Sequence, residues 1–338
     1  MDFQYQRELT GGSKLSVFSV ESTVLAGNPL GDPAKRAHPV LLPSGGGEGL
    51  PLVCVLVGYT GFGHKVLNKG SLWQENLPER LAGWMESGEV PPAVFLWPSC
   101  ETRLGGSQYL NSPGTGRYED MLLDELIPAA EAEWGCGGQG RRIVVGKSSG
   151  GYGALRLAMR REGFFSAVGS HCGDMGFDVS HTRGFPDALA CWRRFGGPED
   201  FLEALPGLED FGYSEHAGLE MIAMASCYSP DESSPLGVEL PVDSETGELR
   251  GEVFEKWLAN DPLRMVQAGP CAEALRGLKA LYLDAGEKDE FALQWGLRRM
   301  VRRLDALGVS HRAEFHSGGH FNTDGRYAIS LPFLLGAL

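Results

Sequence analysis

Hydrophobic positions along this chain fall into short runs separated by stretches of helical spacing. Leu52–Val57 (LVCVLV) is apolar throughout, as in a strand covered on both faces. Ala93–Trp97, Arg142–Val145, Phe165–His171, Leu278–Asp284 and Arg312–Phe315 read as further strands. Leu15–Ser22 and His38–Leu42 read as an early hairpin, and the Ser/Gly run at 44–48 as a turn. A helix is predicted from Arg117 to Trp134, with Tyr118, Met121, Leu122, Leu126, Ala129 and Ala130 at recurring positions. Gly135 can close it, and Pro128 should kink or shorten it. A second helix, Phe291–Leu307, carries Leu293, Leu297, Met300, Val301 and Leu304 on one face. Arg298, Arg299, Arg302 and Arg303 lie in its second half, where cations suit the helix dipole, and Gly308 caps it. This alternation predicts an α/β class protein with a mostly parallel sheet flanked by helices. Residues 173–260 break the pattern, and no internal repeat is seen.

Composition narrows the class. The 338 residues are 42% apolar and 22% charged, which suits a globular chain. They are expected to form one catalytic domain over 1–338 with residues 173–260 as an insertion. No run of about 18 apolar residues occurs, so no membrane span is expected. The first fifteen residues lack the basic and apolar regions of a secretory signal. The seven cysteines (Cys54, Cys100, Cys136, Cys172, Cys191, Cys227 and Cys271) include no C-x-x-C pair, which argues against a zinc or redox motif. They are read as reduced thiols, and a cytoplasmic location is expected. The net charge is −14, and residues 197–260 carry 15 Asp and Glu against only Arg250 and Lys256. Such a surface repels nucleic acid and other polyanions. A small-molecule partner, neutral rather than polyanionic, is therefore expected. No membrane partner is expected, and a homo-oligomer is left open.

The strongest chemical signal is RIVVGKSSGGYGA at residues 142–154. It places G-x-S-x-G between a strand-like and a helix-like run. A turn that sharp needs small residues at Gly146 and Gly150, holds Ser148 in a strained conformation with its hydroxyl exposed, and aims a helix N-terminus at the site. Ser149 is a weaker nucleophile candidate because Lys147, not glycine, precedes it at the matching position. Gly146-Lys147-Ser148 also imitates the end of a phosphate-binding loop, but that motif needs glycine where Arg141 stands.

A serine nucleophile needs a base and a group that orients the base. Of the later histidines (His181, His216, His311, His316 and His320), His320 is favoured because it follows Gly318-Gly319 just past the last strand. His316 is second. Their four-residue spacing would suit a metal pair on a helix, but the two glycines oppose a helix, so no metal is expected. LYLDAGEKDEF offers Asp284, Glu287, Asp289 and Glu290 as the acid. Asp284 falls at the strand end and Asp289, the favoured one, in the loop beyond; the others would cap the helix near Phe291. Two N–H donors are needed for the oxyanion. One should come from Ser149 and the other from the Gly58-Tyr59-Thr60-Gly61 turn, with Tyr59 preferred.

These stretches resemble the putative-esterase family of α/β-hydrolases, which includes esterase D (S-formylglutathione hydrolase), enterochelin esterases, feruloyl esterases and mycolyltransferases. The matching segments are Val57-Gly58-Tyr59, the run from Tyr109 to Pro128, Gly146–Ala154, Asp284–Phe291 and Gly318-Gly319-His320. The resemblance implies an α/β-hydrolase fold, a triad of Ser148, Asp289 and His320, and an oxyanion hole from the N–H groups of Tyr59 and Ser149. The family often has histidine where Val57 stands, and residues 173–260 are longer and more acidic than in esterase D. The expected activity is hydrolysis of a carboxylic ester or thioester through an acyl-serine, with no cofactor. Acyl transfer on the same site and a catalytically silent binding protein of this fold are the rival readings. Residues 173–260 are expected to cap the site, with aromatic and Met side chains between Trp192 and Trp257 lining a pocket.

Overall fold

A computed structural model of the chain describes residues 2–267 and 269–338. Its main sheet contains β1 (Asp2–Glu8), β2 (Lys14–Glu21), β3 (Lys35–Leu42), β4 (Leu52–Leu56), β5 (Val94–Leu96), β6 (Arg142–Lys147), β7 (Ala167–His171), β8 (Ala280–Gly286) and β9 (Arg312–His316). The spatial order is β1-β2-β3-β5-β4-β6-β7-β8-β9. From β5 to β9 every pairing is parallel, whereas β1, β2 and β3 pair antiparallel at one edge. The predicted strands all form. β1 was not anticipated, and β8 runs two residues beyond Asp284, which places Asp284 inside the strand rather than at its end.

The central strands are apolar on both faces because both are covered. Cys54, Leu56, Val144 and Val168 pack against Met121, Leu122, Leu155 and Leu297 on one side. Val53, Val55, Ile143 and Val145 pack on the other side against Leu81 and the C-terminal helix residues Leu331 and Leu334. The period-two alternation along each strand divides its side chains between these two layers.

The helix over 118–134 does not stop at Pro128. A widened turn spans Met121–Leu126, with the Ile127 N–H bonded to the Leu122 carbonyl, and Pro128 then opens the segment Ile127–Trp134. A proline has no N–H to donate and its ring crowds the carbonyl four residues back. The wide turn accommodates both, and Gly135 closes the helix with positive φ as expected.

Between β7 and β8 the chain forms mainly helices, among them Phe185–Phe195, Pro198–Ala204, Tyr213–Tyr228 and Gly251–Leu258. They bury their own core of Trp192, Phe201, Ile222, Met224 and Trp257. Asp261 ties the end of this segment to its start. Its carboxylate accepts the N–H groups of Gly176 (2.9 Å), Phe177 (3.0 Å) and Leu263 (2.9 Å). All seven cysteines are free thiols. No helix among the described residues is long and apolar enough to cross a membrane.

Candidate active site

β6 passes through Lys147 directly into the helix Ser149–Arg160. Ser148 sits at the junction with φ 58 and ψ −126, a strained backbone for a residue with a side chain. It is held from both sides. Its N–H bonds to the His171 carbonyl of β7, and its own carbonyl accepts the Tyr152 N–H, both at 2.9 Å. The glycines are steric necessities here. A Cβ at Gly146 would stand 2.3 Å from the Gly150 carbonyl oxygen, and one at Gly150 2.1 Å from that of Leu56.

His320 and Asp289 are brought together from loops that follow β9 and β8. His320 Nδ1 lies 2.9 Å from Asp289 Oδ2, and both residues are buried. Asp289 also accepts the Phe291 N–H at 2.9 Å. Burial alone would raise the Asp289 carboxyl, but the His320 hydrogen bond and charge and the Phe291 and Leu293 amides outweigh it and hold it below the usual range. The following helix starts at Leu293 rather than Phe291, because Ala292 adopts a left-handed backbone (φ 61). Glu290 accepts the His320 N–H at 2.6 Å and so fixes the loop.

Tyr59 lies in the turn after β4, closed by a 2.9 Å bond from the Gly61 N–H to the Gly58 carbonyl. Ser149 is the first residue of its helix, where N–H groups have no intrahelical acceptor. Both residues line a pocket of about 940 Å³ together with Ser148 and His320.

His316 and Asp284 go elsewhere. Asp284 Oδ2 bonds His171 Nδ1 at 3.0 Å and Arg326 Nε at 2.8 Å, and His171 Nε2 meets Ser330 Oγ at 3.0 Å. Ser330, His171 and Asp284 thus imitate a Ser–His–Asp set, but none is more than 1% exposed, so no substrate reaches it. His316 groups with Asp284 and Cys172, and His320 with Asp289 and Cys172, with potential ligand atoms within 4.8 Å in each group. Burial raises the Cys172 thiol well above its usual range, and a protonated thiol is a poor metal ligand.

Sequence reading missed the carboxyls that line the pocket, Glu75, Asp174, Glu220 and Asp324, of which Asp174 and Glu220 bear on the site's electrostatics. Asp174 follows β7 and accepts a 3.2 Å hydrogen bond from Ser149 Oγ. Its place at the C-terminal end of a central parallel strand was the available signal. Burial pushes it up to about 6, against the pull of the His320 charge and the Ser149 bond. Glu220, from the helix Tyr213–Tyr228, was hidden within the acidic excess. Of the apolar residues expected to line the pocket from 173–260, Phe211 and Tyr213 do so. Met221, Met224 and Trp257 line a small annex, and Trp192 and Phe201 are core.

A family model described as Putative esterase matches residues 35–320. No curated protein sequence matches the chain. Among solved structures, a ferulic acid esterase aligns with a TM-score of 0.64 at 19% identity, covering 96% of this chain and 99% of that one. An S-formylglutathione hydrolase from Agrobacterium tumefaciens gives a TM-score of 0.59 at 15% identity, with 100% of both chains covered. A fluorophosphonate-binding serine hydrolase of Staphylococcus aureus gives 0.58 at 12% identity, with 96% and 98% covered. At such identities the likeness is one of fold, that of the α/β-hydrolases.

Proposed function

The chain belongs to the Putative esterase family, and from that premise we propose that it cleaves a carboxylic ester or thioester through an acyl-serine intermediate. Ser148 is the nucleophile. His320 takes the Ser148 proton through Nε2 and returns it to the leaving group, while Asp289 fixes the imidazole tautomer through Nδ1 and stabilises its charged form. The N–H groups of Tyr59 and Ser149 donate to the oxyanion of the tetrahedral intermediate. Water then attacks the acyl-serine carbonyl with His320 as base, and the acid and Ser148 are released. The observation that carries this reading is the pairing of His320 with Asp289 at 2.9 Å beside a strained serine in one pocket. Residues 173–260 serve as a cap over that pocket, which Phe211, Tyr213, His216 and Glu220 help to line.

Labelling with a fluorophosphonate probe and ester turnover test the reading together. The wild-type protein should label at Ser148 and cleave a simple aryl ester. Ser148→Ala should lose the label and roughly 10³-fold or more of the turnover while keeping its fold. Retained activity in Ser148→Ala with a dead Ser149→Ala would move the nucleophile by one residue. A folded wild-type protein that neither labels nor turns over would favour the silent binding protein.

A further inference from the structure

Two carboxyls line the pocket of Ser148 from different elements, Asp174 after the end of β7 and Glu220 from the helix Tyr213–Tyr228. Neither forms an ion pair with a lysine or arginine among the described residues. The nearest basic groups to Glu220 are His216 Nδ1 at 3.7 Å and His181 Nδ1 at 4.0 Å. Burial holds His181 down to about 4 and lowers His216, so both are neutral at physiological pH and neutralise nothing. His181 Nε2 is itself buried without a hydrogen-bond partner, in the annex that Glu220 also lines. Aromatic rings complete this wall. Tyr59, pinned by its hydroxyl to the Leu104 carbonyl at 2.8 Å, stands edge-on to His216 at 5.3 Å, and Phe211 and Tyr213 lie at the exposed rim.

Unpaired carboxyls beside aromatic faces form the chemistry that recognises an organic cation. We propose that this wall binds an alkylammonium group of the substrate, so that the ester or thioester cleaved at Ser148 is cationic. The inference rests on the hydrolase reading and names its substrate class. A cation balances the Asp174 charge, favours the ionised form of Glu220 beside it and meets the rings of Tyr59, Phe211 and Tyr213. A neutral hydroxyl supplies no charge to either carboxyl. The pocket's own cations, Lys65, Arg80 and Lys147, come from other segments, and the Lys147 ammonium sits over the Phe321 ring at 5.4 Å.

Binding is measured first without catalysis. The Ser148→Ala protein is titrated calorimetrically with choline and with 3,3-dimethylbutan-1-ol, its uncharged isostere. Choline should bind at least about tenfold more tightly, and Glu220→Gln added to that variant should lower the ratio about tenfold, as expected for a desolvated cation site. Enclosure in the wall and the Asp174 charge push Glu220 up to about 8, with Arg183 pulling the other way. With Asp174, Arg183, His181, His216 and Tyr59 around it, Glu220 must ionise to hold the cation, so choline affinity should rise as pH passes through that value. Equal affinity for the two ligands overturns the inference.

Turnover is measured second, on wild-type protein. Thioesters carrying trimethylammonium on the thiol side or on the acyl side are each compared with a tert-butyl isostere and a carboxylate analogue. The cationic member of at least one set should lead in kcat/KM by about tenfold. Turnover without cation preference overturns the inference and leaves the hydrolase standing. Choline selectivity without any turnover overturns the hydrolase reading instead, and preference for the carboxylate assigns the pocket to Lys65, Arg80 and Lys147.

Discussion

Asp284 and Asp289 stand five residues apart, and each touches a histidine, yet the structure gives them different work. Asp289 holds a histidine that lines an open pocket, and Asp284 holds one that is sealed. Asp289→Asn should therefore cost roughly 10⁴-fold in kcat with little change in stability, because the amide favours the wrong imidazole tautomer. Asp284→Asn should lower stability by about 3–5 kcal/mol, read from denaturant midpoints, because Arg326 and His171 lose a buried partner. A reversed ranking would return the acid role to Asp284. The same site sets an acid limit to folding. Burial would raise the Asp284 carboxyl, but the charges and hydrogen bonds of His171 and Arg326 hold it below the usual range. A depressed folded value means that its contribution is complete above the unfolded carboxylate range of about 4 and fades as pH falls below it. Wild-type stability should drop through that window, and Asp284→Asn should flatten the drop. A slope unchanged in the variant would place the acid sensitivity on other carboxylates.

At the scale of elements, what repeats locally was legible and what depends on distant partners was not. The strands from Leu52 to Gly286 were readable because an apolar run buried on both faces looks the same whatever covers it, whereas the edge strand Arg312–His316 is only partly buried. The G-x-S-x-G turn was readable because one of its glycine contacts is local, Gly146 against Gly150, although Gly150 itself answers the distant Leu56 carbonyl. The proposed triad residues Asp289 and His320 could be nominated from chain order, but their pairing needed the loops after β8 and β9 to meet. β1 alternates only over Asp2–Gln6, too short a run to stand out, and its pairing with β2 is supplied by its neighbour. Pro128 misled in the other direction, since only the folded helix shows the widened turn that absorbs it. The helix Leu293–Ala306 offers a test of this division. Local propensity says that Gly296→Ala should stabilise it by about 1 kcal/mol. The structure says the reverse, because the new Cβ would stand 2.0 Å from the Met175 carbonyl oxygen, which belongs to the start of the 173–260 segment. Overpacking of that kind costs about 1–3 kcal/mol, so the variant should unfold at lower denaturant than wild type. A gain in midpoint would show that the helix and the segment are not packed as closely as the geometry requires.

The whole molecule adds a field that no single contact explains. Nearly all of the net charge of −14 resides in residues 197–260, and that segment contributes Phe211, Tyr213, His216 and Glu220 to the pocket wall. A substrate approaching the mouth meets this field before it meets Ser148. Fields of this kind raise the encounter rate of cations and depress that of anions, and they are screened over about 30 Å at 0.01 M salt but about 3 Å at 1 M. The pocket carboxyls, Asp174 buried and Glu220 partly exposed, are screened less. Salt therefore separates long-range steering from local recognition. For esters alike except in charge, kcat/KM at low salt should fall from cationic to neutral to anionic. Raising the salt should narrow the gap between neutral and anionic esters, because the steering part of it is screened. The lead of the cationic ester should shrink but persist, since what remains is held at Asp174, Glu220 and the rings beside them. Stopped-flow or steady-state rates across a salt series measure both parts at once. A cationic lead that vanishes entirely would leave the field and remove the pocket contact. An anionic lead at low salt would mean that Lys65, Arg80 and Lys147 dominate the mouth despite the acidic segment above it.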